Sequence, residues 1–270
     1  MSEAAASEAA APAALVERRD GATILTFNRA EAHNAINAQM REIIEQTLQS
    51  LRTDGSRLLV LRGAGDSFMS GADIHEFAAA TPDEMVQNAR RDQAMLRAIE
   101  DLPIPTLALL HGYTMGNGLF IAAACDLRIC SSNARFGITS ARSLANSLHP
   151  WGYSRISGLI GEARLKELII LARVIDADTA FSWGLLTEVV APDELEARVE
   201  ELIAQIPSQA ALTMWAVKES MRRLRREIPG DEDELLRFVQ SSNDLTEGMT
   251  AFIEKRRPVF SDLPPWDRRL

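Results

Sequence analysis

Two runs of large aliphatic residues constrain this chain most: Leu58–Leu61 (LLVL) and Pro105–Leu110 (PTLALL). Unbroken apolar runs this short, stopped by turn residues, suit strands buried on both faces. Gly63-Ala64-Gly65 stops the first and His111-Gly112 the second. Helical patterns lie before and between them. Ala38–Leu51 carries Met40, Ile43, Ile44, Leu48 and Leu51 at helical spacing, with Asn37 as the N-cap. Thr81-Pro82-Asp83-Glu84 reads as a capping box with proline at the first helical position, predicting a helix to about Asp101 with Met85, Met95, Leu96 and Ile99 inward. Thr23–Phe27 adds an earlier strand, and Asp126–Ile129 and Arg135–Gly137 later ones. A further helix opens near Gly116-Asn117-Gly118 and runs through Cys125. Doubly buried strands alternating with helices predict an α/β fold with a mostly parallel sheet.

Composition narrows what such a fold does. The 270 residues carry 29 Lys and Arg against 38 Asp and Glu, a net charge of −9. That charge opposes binding to nucleic acid and to anionic membrane surfaces. Cys125 and Cys130 are too few for a disulfide framework and read as small buried apolar residues in a reducing compartment, so a cytoplasmic location is expected. The longest central apolar stretch, Leu119–Cys125, is far short of a membrane span. Residues 1–14 read as an Ala-rich tail without signal-peptide character, 15–205 as the core, and 206–270 as a helical appendage with stripes such as Met214, Val217, Met221 and Leu224.

Common catalytic motifs fail. Gly63-x-Gly65 follows a strand, but Phe68 occupies the sixth position of a dinucleotide fingerprint. The chain has no P-loop, no nucleophile elbow and no ligand-like spacing among its four histidines. Two glycine turns remain: Phe68-Met69-Ser70-Gly71-Ala72-Asp73-Ile74, and His111-Gly112-Tyr113-Thr114-Met115-Gly116-Asn117-Gly118. Glycine bares main-chain N–H groups, and the second turn also opens a helix whose first amides lack internal partners. Two such amides converging on one point can hold an oxyanion; each alone can be a plain turn.

The chain resembles the crotonase (enoyl-CoA hydratase/isomerase) superfamily from Thr23 to Phe260. The resemblance runs through Asn28–Asn37, Val60–Gly65, Ser70–Ile74, Pro105-Thr106, His111–Asp126, Arg135–Gly137, Asp176–Val190 and Glu247–Arg256. It implies a spiral of ββα units followed by a C-terminal helical trimerisation region, assembled as a trimer or a dimer of trimers. It implies an acyl-CoA thioester as substrate, with coenzyme A belonging to the substrate and no separate cofactor or metal. By position, the backbone amides of Ala72 and Asn117 would hold the thioester oxygen. Asp73, Ile74, His75 and Gly116 would line the CoA path, and Phe252 and Lys255 would reach a neighbouring subunit's CoA.

The departures from the pattern bear on the reaction. The resemblance places the two water-activating glutamates of a hydratase at Phe120 and Ser140. Phenylalanine exchanges no protons, and a serine without an activating neighbour is a poor base. General acid–base help is worth about 10²–10⁴-fold, so ordinary hydration is expected to be crippled. Ser140 and His149, with Trp151 and Tyr153 nearby, are candidate replacements, and each also reads as an ordinary loop residue. Asn146 can orient a water or cap a turn. Another family reaction (isomerisation, decarboxylation or thioester hydrolysis) and a non-catalytic acyl-CoA binder are the alternatives.

Overall fold

The structure, a computed structural model, describes residues 11–147, 150–209, 211–225 and 240–259. Its main sheet has six strands in the order β1 (Ala14–Arg19), β2 (Ala22–Phe27), β3 (Leu58–Gly63), β4 (Thr106–Leu110), β6 (Leu127–Ser131) and β9 (Glu188–Val190). Only β1 runs antiparallel to its neighbour. A second sheet joins β5 (Tyr113–Met115), β7 (Arg135–Gly137) and β8 (Val174–Asp176). The helices are α1 (Ala38–Ser50), α2 (Ile74–Ala79), α3 (Pro82–Glu100), α4 (Asn117–Ala124), α5 (Ser140–Ser143), α6 (Pro150–Ile160), α7 (Glu162–Ile170), α8 (Ala177–Ser182), α9 (Leu195–Gln205), α10 (Ala211–Arg225) and a closing helix, Asn243–Ile253.

The chain repeats one move: a strand in the main sheet, a short extended piece in the second layer, then a helix. After β3 the extended piece is Met69, bridged to Thr114; after β4 it is β5, followed by α4; after β6 it is β7. This is the ββα spiral expected from the resemblance. Alternation along β2, β3 and β4 feeds two cores. Leu25, Leu59, Leu61, Ala108 and Leu110 point into the larger one, with α1, α3 and α4. Ile24, Leu58, Val60, Leu107 and Leu109 meet Leu195, Val199, Leu202 and Ile203 of α9 on the other face. Leu58–Leu61 and Leu107–Leu110 are apolar at every position because each face is covered.

The predicted helix starts hold. Asn37 Oδ1 accepts from Met40 N–H at 2.9 Å. Thr81 and Glu84 form the reciprocal capping box, and α3 ends at Glu100. The differences are local. Ala13 and Ala14, counted with the tail, are 2% and 3% exposed, so packing begins two residues earlier. Strand β1 escaped notice because its residues after Ala14 are mostly polar and partly exposed at the sheet edge. Strand β6 starts at Leu127, since the Asp126 carboxylate is engaged by the N–H and hydroxyl of Thr106 at 2.8 and 2.9 Å. Of the expected α10 stripe, Val217 and Met221 are 61% and 48% exposed and face out of this chain. Both cysteines are free and buried, and burial pushes their thiols up to about 12. No helix among the described residues is long and apolar enough to cross a membrane.

Candidate functional site

The two glycine turns lie against each other. Met69 N–H donates to Tyr113 O at 3.0 Å, and Met115 N–H donates to Met69 O at 2.9 Å. A Cβ added to Gly116 would lie 3.8 Å from Gly71 Cα. Gly116, with φ +50° and ψ −117°, turns the chain into α4 through backbone space that favours glycine. Asn34 is fully buried and ties the region together: its side chain accepts from Arg29 N–H and donates to the carbonyls of Ala64 and Ser67.

This pinning aims two amides. Ile36 N–H donates to Gly71 O at 2.8 Å and Asp73 N–H donates to Ile36 O at 3.0 Å. Those bonds straddle Ala72, so in a parallel bridge the Ala72 N–H points the opposite way, into the cleft. Asn117 opens α4, where the first N–H groups have no carbonyl to reach. Among the described residues no hydrogen bond takes up either amide. Ala72 itself is exposed. Both line one cleft of about 430 Å³.

The cleft gathers most of the residues singled out in the sequence: Asp73, Ile74, His75, Gly116, Ser140 and Phe252 join Ala72 and Asn117 in its wall. Asp73 also caps α2 and pairs with Arg29 at 2.8 Å. Burial works against its ionisation, but Arg29 and the N–H groups of His75 and Glu76 outweigh that and hold its carboxyl below the usual range. Lys255 is not in this wall; it follows the closing helix, two residues past Ile253, with φ +54°. Phe252, expected to serve a neighbouring subunit, borders its own chain's cleft. His111 donates from Nε2 to Gly65 O at 2.9 Å, as a packed strand-end residue. His149 lies outside the described residues.

Beyond the amide pair the cleft continues into a chamber of about 70 Å³, sharing Ala72, Asp73, Asn117 and Asn146 with it. Phe120 forms part of its wall, 3% exposed and packed edge-on against Tyr153 at 5.9 Å. Gly152 sits so close that an added Cβ would be 2.8 Å from the Phe120 ring. The chamber also holds residues the sequence reading missed: Arg41, Asp92 and Gln240. Asp92 accepts from Arg41 Nε at 2.6 Å and from Asn117 Nδ2 at 3.1 Å. Burial pushes its carboxyl above the usual range, and the charge of Arg41 offsets this only in part. A signal existed, since Asp92 falls on the inward face of α3 seven residues after Met85 and before Ile99, where the pattern calls for an apolar residue.

Fold and cleft thus define a ββα-spiral protein with two free amides facing a ligand-sized cleft. The pattern of the enoyl-CoA hydratase/isomerase family matches residues 17–263. A short-chain-enoyl-CoA hydratase of Clostridium acetobutylicum is 34% identical, over 90% of this chain and 95% of its own. A crotonyl-CoA hydratase of Syntrophomonas wolfei is 32% identical, over 91% and 96%. A crystal structure of methylmalonyl-CoA decarboxylase complexed with 2S-carboxypropyl-CoA superposes with a TM-score of 0.83 at 27% identity, covering 92% of this chain and 98% of the other. The chain belongs to the enoyl-CoA hydratase/isomerase (crotonase) family and is an acyl-CoA-processing enzyme.

Proposed function

We propose that this enzyme forms and reprotonates the enolate of a short-chain acyl-CoA, moving a proton along the acyl group instead of adding water to it. The observation that carries this reading is the pair of free amides at Ala72 and Asn117, presented by two turns hydrogen-bonded to each other. Withdrawing a proton beside a thioester drives negative charge onto its oxygen. Fixed N–H donors stabilise that charge, and losing one costs about 2.7–4 kcal/mol of barrier. The CoA arm occupies the cleft along Asp73–His75 and Gly116, with Phe252 at its rim, and the acyl group enters the chamber. At about 10–15 Å³ per water-sized site, a chamber of about 70 Å³ takes about five to seven such groups, which supports a short acyl chain. Two-glutamate hydration is disfavoured because the corresponding positions are a buried phenylalanine and Ser140. Ser140, whose residue lines the cleft, and His149 serve as secondary proton carriers or hydrogen-bonding groups. Val217, Met221 and Phe252, exposed on one chain, support a trimer or a dimer of trimers.

Decarboxylation is the second reading, favoured by the likeness to methylmalonyl-CoA decarboxylase. It reaches the same enolate with no base, because the leaving carboxylate supplies the electrons. The chamber's charge weighs against it: Arg41 already pairs with Asp92 and Glu76, so a substrate carboxylate would meet excess negative charge.

The test is a panel of but-3-enoyl-CoA, butyryl-CoA, crotonyl-CoA and methylmalonyl-CoA incubated in D₂O, with binding measured in parallel. The expected result is deuterium at the α-carbon and conversion of but-3-enoyl-CoA to crotonyl-CoA. Hydration of crotonyl-CoA at rates typical of efficient enzymes would overturn the reading. CO₂ release as the sole turnover would replace it with decarboxylation, and binding without any turnover would make the protein a non-catalytic binder.

A further inference from the structure

We propose that Asp92 is the catalytic base and acid of this site, taking the α-proton of a short acyl-CoA and returning it further along the chain. The inference rests on the enolate reading above and names the group that the reading leaves unassigned. Among the described residues, three carboxyl groups line the chamber: Asp73, Glu76 and Asp92. Asp73 is committed to Arg29 and to the N-terminus of α2. Glu76 receives Ala38 N–H on both oxygens, at 2.9 and 3.0 Å, and Arg41 at 3.2 Å. Asp92 takes one donor on each oxygen, Arg41 Nε on Oδ1 and Asn117 Nδ2 on Oδ2. A carboxylate offers about four acceptor sites, so capacity remains on Asp92.

Its position fits the chemistry. Asn117 has two tasks: its main-chain amide faces the cleft, and its side chain holds Asp92. A thioester oxygen at the Asn117 amide therefore lies one asparagine side chain away from the carboxylate. Two further chamber residues, Asn146 and Gln240, each carry a buried carboxamide oxygen with no hydrogen-bond partner among the described residues. Buried unpaired polar groups are expensive in a packed interior, so this is a wall prepared for polar contents. Burying Asp92 also brings its carboxyl toward the working range of a proton carrier.

The step balances without a co-reactant. The α-carbon–hydrogen bond breaks and an O–H bond forms on Asp92. The electron pair moves onto the thioester oxygen between the two amides. In but-3-enoyl-CoA the proton then goes from Asp92 to the γ-carbon, the double bond shifts to the α,β position, and crotonyl-CoA leaves.

The experiment compares the full-length protein with Asp92→Asn and Asp92→Glu, using but-3-enoyl-CoA in D₂O. Isomerisation, α-deuterium incorporation, CoA-ester affinity, circular dichroism and the pH dependence of kcat/KM are recorded. Asp92→Asn is expected to lose roughly 10²–10⁴-fold in isomerisation and exchange, to bind within about threefold of wild type, and to lose the rising limb of the pH profile. Asp92→Glu keeps a carboxyl and the Arg41 partner, and is expected to retain that limb at a reduced rate. A folded Asp92→Asn that exchanges within threefold of wild type overturns the proposal. If Asp92→Asn does not fold, a folded Asp92→Glu with an undiminished rate and an unmoved limb does the same. A wild-type protein that neither isomerises but-3-enoyl-CoA nor exchanges its α-proton overturns the enolate reading itself, and this proposal with it.

Discussion

Gly118→Ala probes the amide pair without touching either amide. Gly118 is the second residue of α4 and rests on the other turn: an added Cβ would stand 2.4 Å from Met69 O and 2.8 Å from Met69 Cβ. Ordinary contact begins near 3.4 Å, so α4 and Met69 must separate by about 1 Å. Asn117 rides on α4, and Ala72 lies three residues beyond Met69, so the separation opens the gap between the two donors. Oxyanion donors act at about 2.7–3.1 Å, and a misplacement of about 1 Å costs on the order of 10²-fold. The expected outcome is a 10²–10³-fold fall in kcat, about 2.7–4 kcal/mol, with CoA-ester affinity changed much less. Overpacking also costs about 1–3 kcal/mol, which lowers Tm by about 2–12 °C in a chain of this size. Gly158→Ala is the matched control. Gly158 lies in α6 with nothing within 4 Å of an added Cβ, so the change should leave kcat alone and raise stability by up to about 1 kcal/mol. Steady-state kinetics and thermal melts on both variants decide the matter. A folded Gly118→Ala with kcat within threefold of wild type would refute the reasoning.

Three further outcomes are expected. Phe120→Glu places a carboxyl in a wall that is 3% exposed and near Asp92, so it should lower Tm and yield no hydration of crotonyl-CoA; product analysis by chromatography checks this. Thr81→Ala removes the cap of the helix that carries Asp92 and should cost about 1 kcal/mol in urea unfolding, and an unchanged midpoint would deny the cap its role. Hydrogen bonds from Arg256 and then Val259 N–H lower Glu247 from 4.5 to about 2. Because the folded value is the lower one, this contact is complete above pH 4.5 and is lost as pH falls toward 2. The Val259 amide shift followed by NMR should therefore titrate near pH 2; a midpoint near 4.5 would contradict the pairing.

The strand-and-helix order was legible because burial on both sheet faces leaves unbroken apolar runs, and because Asn37 and Thr81 announce their helices through side-chain caps. The motifs carried the family, and the glycines at positions 71 and 116 marked the two turns. Strand β1 was illegible because an edge strand with polar residues has no apolar run to show. Asp92 sat unread in a helix whose other inward positions are apolar, and its role depends on Arg41 and Asn117, which are 51 and 25 residues away in the chain.

The sequence by itself determined the alternation of elements, the positions where the chain must turn through glycine, and the absence of carboxylates at Phe120 and Ser140. Each of these is a local property, set by side-chain size, backbone freedom or residue type. Only the tertiary structure decided that the Ala72 and Asn117 amides share one cleft and that Asp92 stands beside them. The reason is physical: convergence comes from a spiral that brings β3, β4 and α3 together over long stretches of chain, and a carboxyl acquires its character from the burial and partners found there.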